Sequence, residues 1–196
     1  MVYASQCREA GEETRLASKL GRQQGHDRIA AVAELARYLG LRFREASLLD
    51  VRTALKQANE LGRINVTEGT KGGRGRGVNR WVAVSGRAKQ SLHTAARTTG
   101  DAGNLIPTDQ RFVEWRNHAC ATWHIVSAQH DLSGFHDLRA AYACERYHEV
   151  TGHAAPVIAG LRAAAKERNQ AARQIIAQEL GHGRSDVVAA YVGGSK

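Results

Sequence analysis

The 196-residue chain is long enough for one domain, or for one domain with a tail, and its 42% hydrophobic residues can build a core. With 28 Lys and Arg against 19 Asp and Glu it carries +9 and a pI near 9.9, which favours a polyanionic partner, nucleic acid ahead of an anionic membrane surface. No apolar run reaches the ~18 residues of a membrane span, and the polar N-terminus has no secretion segment. Three widely spaced cysteines (Cys7, Cys120, Cys144) form no C-x-x-C pair, which argues against a disulfide framework and suits a reducing cytoplasm.

Residues 1–25 mix charge with Gly, Ser and Gln without a sustained apolar period and are expected to be a leader or linker, with at most a short helix. From Asp27 the pattern changes. Ile29, Val32, Leu35, Ala36 and Leu39 recur at helical steps and Gly40 stops them. Two shorter helices are expected over 44–49 and 52–61. The period then shifts to alternation in Arg63–Thr67 and again in Trp81–Val84. Between these two segments lies a Gly-rich basic stretch, 69–77, so a β-hairpin with a cationic tip is expected. Further helices fit 88–97, 110–128, 137–150, 169–180 and 185–191, with Ser185 as N-cap of the last and Gly193-Gly194 as its end. The Ala/Gly-rich segment 151–168 reads as a loop with a partial helix. The fold class expected is α+β, mainly α-helical, with a small antiparallel sheet.

The hairpin tip is not a P-loop, because Lys71 precedes the glycines and a second strand follows where a helix is needed. A solvated turn and a hairpin laid along a nucleic-acid groove both remain open; in the second, Arg74 and Arg76 hold phosphates and Lys71 reaches inward. Three further segments bear on the choice. Arg42 follows Gly40-Leu41 just beyond a helix end, with Arg44 and Glu45 behind it. His136 and Arg139 stand at i and i+3, on one helix face. Leu180-Gly181-His182 is followed nine residues later by Tyr191.

In this order and spacing the set resembles the catalytic domain of the tyrosine recombinases, the phage-type integrases, over Asp27 to Tyr191. The wording Gly-Leu-Arg-Phe-Arg-Glu-Ala, Glu-Gly-Thr-Lys-Gly-Gly-Arg and Phe-His-Asp-Leu-Arg-Ala-Ala-Tyr is similar to integrases of proteobacterial prophages and integrative elements. The resemblance implies a catalytic domain over 26–196, without the N-terminal core-binding domain usual in the family. It implies that Arg42 and Arg139 grip the non-bridging oxygens of a scissile phosphate in double-stranded DNA. Lys71 would protonate the departing 5′-oxygen, His136 would act as base or phosphate ligand, and His182 would hydrogen-bond the phosphate. Tyr191 would attack phosphorus, leaving a 3′-phosphotyrosine bond and a free 5′-hydroxyl. Arg44, Arg74 and Arg76 are the expected DNA-binding residues, and the family works as a homo-tetramer on DNA. Leu39 stands where the family often has Thr, Ala140 where a second His often follows Arg139. The long gap between Arg139 and His182 implies an insertion within 151–168.

Elementary chemistry supports the same division of labour. Negative charge grows on the equatorial oxygens of a phosphodiester as a nucleophile arrives, and planar arginines match those oxygens. A phenol with an ordinary pKa near ~10 needs a cationic site before it is an effective nucleophile. No metal or other cofactor is expected. The sets Cys144, His148, His153 and His118, Cys120, His124 fit no compact zinc pattern. More ordinary roles stand beside these. Tyr191 could pack on the core, His182 could cap a helix, and Arg42 and Arg139 could pair with Glu45 and Asp137. Trp81, Trp115 and Trp123 read as core aromatics rather than base-stacking platforms. A non-catalytic DNA-binding remnant and a type IB topoisomerase-like relaxing enzyme are the alternative functions using the same residues.

Overall fold

The structure is a computed structural model describing residues 3–70, 77–130, 132 and 134–194, with backbone alone for 3–11. The first helices are α1 (Tyr3–Gln23), α2 (Asp27–Leu39), α3 (Phe43–Leu48) and α4 (Val51–Leu61). Strand β1 (Arg63–Asn65) pairs antiparallel with β2 (Trp81–Ala83), with Ile64 opposite Val82. The helices after the sheet are α5 (Gly86–Thr99), α6 (Phe112–Ala128), α7 (Phe135–Thr151), α8 (Pro156–Ala159), α9 (Lys166–Glu179) and α10 (Ala189–Val192). The chain is therefore α+β and mainly helical, and the expected elements are present with their ends moved by a few residues.

Helix α2 is the centre of the packing. Its apolar row Ile29, Val32, Leu35 and Leu39 is buried against α1, α5 and α7. Each such side chain contributes about 1.5–3 kcal/mol when removed from water. Side-chain caps fix where neighbouring helices start: Asp50 accepts from the Thr53 amide at 3.0 Å, and Ser85 from the Ala88 amide at 3.2 Å. Trp115 and Trp123 are buried, and Trp115 Nε1 donates to Ser47 Oγ at 3.0 Å. Trp81 is half-buried, with the Arg63 guanidinium 4.6 Å above its ring.

Two expectations are corrected. In place of a leader with at most a short helix, residues 3–23 form the 21-residue helix α1, which packs on α2, α6, α7 and α8. Its buried positions include Thr14, Ala17 and Ser18. A contact face made of such small residues leaves no hydrophobic period to read. Ser185 does not cap the last helix. Its backbone is already helical (φ −76°, ψ −21°), so its hydroxyl makes no cap bond; a 3₁₀ turn over Asp186–Val188 leads into α10. Of the expected loop 151–168, α7 takes Thr151 and α9 begins at Lys166, and the short helix α8, started by Pro156, lies between them.

Candidate active site

The site is assembled where the end of α2, the start of α3, the base of the hairpin, the first turns of α7, the end of α9 and α10 meet. Gly40 makes the turn out of α2 at φ +62°, and a Cβ there would lie 2.5 Å from the Tyr142 ring. Only glycine fits both the left-handed backbone and the close packing. Two residues on, Arg42 holds the N-cap position of α3 in an extended conformation. Its backbone N–H donates to Glu45 Oε2 at 2.8 Å and its Nη1 to Glu45 Oε1 at 2.7 Å. The pairing of Arg42 with Glu45 is thus present, while the Arg42 side chain keeps 30% of its surface exposed.

Glu45 is fully buried. Burial alone would raise its carboxyl, but hydrogen bonds and charge from Arg80, then from Arg42, lower it to about 2. Arg80 is a residue that sequence reasoning missed. It stands just before β2 with 7% of its surface exposed and grips Glu45 with both terminal nitrogens, at 2.7 and 3.0 Å. Nothing in its local sequence distinguishes it from an exposed arginine at the foot of a hairpin.

Arg139, on the first turns of α7, is 2% exposed and donates to the carbonyls of Gly40 and Leu180. Its Nη1 is 3.8 Å from Glu45 Oε2, so the acidic group near it is Glu45 rather than Asp137. Burial and the Arg42 charge lower its pKa to about 10, with the Tyr191 phenol and Glu45 acting in the opposite direction. It therefore stays cationic at neutral pH. The three guanidiniums of Arg42, Arg80 and Arg139 surround one carboxylate, leaving the cluster with net positive charge.

The second half of the site closes over this cluster. Leu180 ends α9, and Gly181 turns the chain at φ +65°, where a Cβ would lie 2.8 Å from Arg80 Nη1. His182 follows, half-buried, with Nε2 3.4 Å from Arg139 Nη2. Desolvation, then the charges of Arg139, Arg42 and Arg80, push its pKa down to about 4, against a weaker pull from Glu45. The imidazole is therefore neutral at pH 7, and facing a guanidinium donor its Nε2 is the acceptor. Tyr191 lies on α10 with 7% of its surface exposed. Its ring centroid is 5.5 Å from that of His136 and 5.7 Å from that of His182. His136 itself is exposed.

The structure thus brings Arg42, His136, Arg139, His182 and Tyr191 together. Lys71, Arg74 and Arg76 lie outside the described residues. Arg44 is exposed beside Glu45, its guanidinium 5.1 Å from the Phe112 ring centroid.

A protein-family model described as Integrase matches residues 4–145. That span is well over half the chain, and the chain belongs to the integrase family. It takes in Arg42, Arg80, His136 and Arg139 and ends before His182 and Tyr191. Comparison with curated proteins and with solved structures gives no match. Membership makes DNA the partner and integration or recombination the work. No helix among the described residues is long and apolar enough to cross a membrane.

Proposed function

We propose that this integrase cleaves and rejoins DNA through a covalent bond between Tyr191 and a 3′-phosphate. The observation that carries the reading is the position of Tyr191: its ring adjoins those of both His136 and His182, and its phenol interacts with the Arg139 guanidinium. A tyrosine that merely packs on the core has no need of two imidazoles and a buried arginine around it.

In the proposed step Tyr191 Oη forms a bond to phosphorus and the bond from phosphorus to the 5′-oxygen breaks. The phenolic proton passes to His136, and Lys71 supplies a proton to the leaving oxygen. Arg42 and Arg139 bind the non-bridging oxygens, where charge accumulates as the phosphorus becomes five-coordinate. Neutral His182 contributes a ring N–H to the same phosphate. Rejoining is the reverse: a 5′-hydroxyl attacks the phosphotyrosine and the phenol leaves. Arg44, Arg74 and Arg76 serve as backbone contacts that seat the duplex.

The test is covalent capture on a nicked suicide DNA carrying the protein's recognition sequence, followed by peptide mapping. Wild-type protein is expected to give a detergent-resistant adduct at Tyr191, and Tyr191→Phe to give none while keeping its DNA affinity. Attachment at any other residue, or an adduct in the Phe variant, overturns the assignment.

A further inference from the structure

Arg80 has no part in the chemistry just described, yet its side chain touches two segments of the site. Its guanidinium faces Glu45 end-on, Nη1 to Oε1 at 2.7 Å and Nη2 to Oε2 at 3.0 Å. The other two bonds to that carboxylate come from Arg42, Nη1 to Oε1 and the backbone N–H to Oε2. Each oxygen therefore accepts two donors, and the acceptor capacity of Glu45 is filled. Arg139 Nη1, at 3.8 Å, stays beyond hydrogen-bonding distance. The Arg80 side chain also runs beneath Gly181, directly before His182.

The hairpin meets α3 on both of its arms. Arg80 does so from the returning arm. On the outgoing arm Gly69 lies so close that a Cβ would be 2.8 Å from the Arg44 carbonyl oxygen. Gly69 and Arg80, one on each described arm, thus both rest on the same short helix that presents Arg42.

Stability alone is a poor reason for this arrangement. A buried ion pair contributes little net free energy against a well-packed apolar replacement. Arg80 also leaves its Nε–H buried without an acceptor, a cost a purely structural residue would not need to carry.

We propose that Arg80 is a positioning residue: by occupying half of the acceptor capacity of Glu45 it keeps Arg42 and Arg139 from collapsing onto that carboxylate and holds them toward the phosphate. This rests on the reading of Arg42 and Arg139 as phosphate ligands. Without Arg80, two acceptor positions on a buried anion open. The nearest cations, Arg139 and the second terminal nitrogen of Arg42, move to fill them. A displacement of the order of 1 Å in such a ligand costs about 100-fold in rate.

The experiment compares wild type, Arg80→Met, Arg80→Lys and the double variant Glu45→Gln/Arg80→Met, all in the full chain. DNA affinity is read by gel shift, adduct formation by single turnover on suicide DNA, and the His182 midpoint by NMR titration without DNA. Arg80→Met is expected to keep DNA affinity within about threefold and to form the adduct about 100-fold more slowly. The His182 midpoint rises in Arg80→Met, because one of the cations facing that ring is gone. Arg139, Arg42, Glu45 and Tyr191 still surround it. Arg80→Lys keeps the charge but not the two-pronged fit, so His182 stays low while the adduct rate remains depressed. The double variant removes the anion that draws the arginines away, and recovers about tenfold over Arg80→Met; it also serves where the single variant folds poorly. A rate in Arg80→Met within threefold of wild type, or a double variant no faster than the single one, overturns the role of Arg80. Absence of any Tyr191 adduct in wild-type protein overturns instead the reading of the site on which it rests.

Discussion

The ring of Tyr191 stands 5.7 Å from that of His182, centroid to centroid, with the two planes 48° apart. The same imidazole meets Arg139 through Nε2. A neutral ring therefore contacts both the Tyr191 ring and a cation, and its protonation is opposed by the guanidiniums of Arg139, Arg42 and Arg80.

That opposition has a pH signature. Folded, His182 takes up a proton only near pH 4, because of desolvation and the charges of Arg139, Arg42 and Arg80. In the unfolded chain it does so near its ordinary 6.5. Lowering the pH from 6.5 toward 4 protonates the unfolded state first, so this group's contribution is complete above 6.5 and is lost across that window. Urea denaturation of wild type and His182→Asn at pH 7 and pH 5 measures it. Wild type should lose more stability than the variant between the two values. Equal losses would mean that His182 titrates normally.

Gly40 tests whether the turn into the site is set by conformation or by packing. Gly40 and Gly152 both end helices with positive φ, at +62° and +75°. Replacing either with Ala costs about 1–2 kcal/mol for the left-handed backbone. A Cβ at Gly152 meets nothing within 4 Å, whereas at Gly40 it overlaps the Tyr142 ring and Leu180. Gly40→Ala should therefore cost about 1–3 kcal/mol more than Gly152→Ala, as overpacking does. Denaturant melts of the two variants side by side decide it; equal losses would show that the Tyr142 ring yields freely.

Much of this was legible in the residues, and what was not has a physical reason. The α2 row of Ile29, Val32, Leu35 and Leu39 is large and apolar, so its period stands out and every member is buried. The i, i+3 spacing of His136 and Arg139 and the positions of His182 and Tyr191 anticipated residues that now lie together. The pairing of Arg42 with Glu45 and its availability to a phosphate read as alternatives in the sequence. In the structure one guanidinium is paired through Nη1 and remains partly exposed. Helix α1 escaped notice because its buried positions include Thr14, Ala17 and Ser18. Arg80 escaped because its partner, Glu45, is 35 residues away, and sequence spacing carries no signal for a contact of that kind.

The C-terminal turn that carries Tyr191 supplies the last prediction. Helix α10 has four residues, too few to be stable alone, so its position comes from tertiary contacts. Arg173, 6% exposed on α9, donates through Nη2 to the carbonyls of Gly193 at 2.6 Å and Gly194 at 3.1 Å. Its Nε donates to Asn169 Oδ1 at 3.1 Å, and the Tyr147 hydroxyl donates to the same oxygen at 3.0 Å. The Cys144 thiol donates to the Tyr191 carbonyl at 3.5 Å, but a thiol is a weak donor. Arg173→Met removes the strongest of these ties, worth about 1.5–3 kcal/mol for hydrogen bonds from a charged group. Amide hydrogen exchange over 186–192 should accelerate while α7 is unchanged. If Tyr191 attacks phosphorus as proposed, adduct formation should slow by about tenfold or more at unaltered DNA affinity, because its phenol spends less time in place. Unchanged exchange in that turn would show that α8 and α7 hold Tyr191 without help from Arg173.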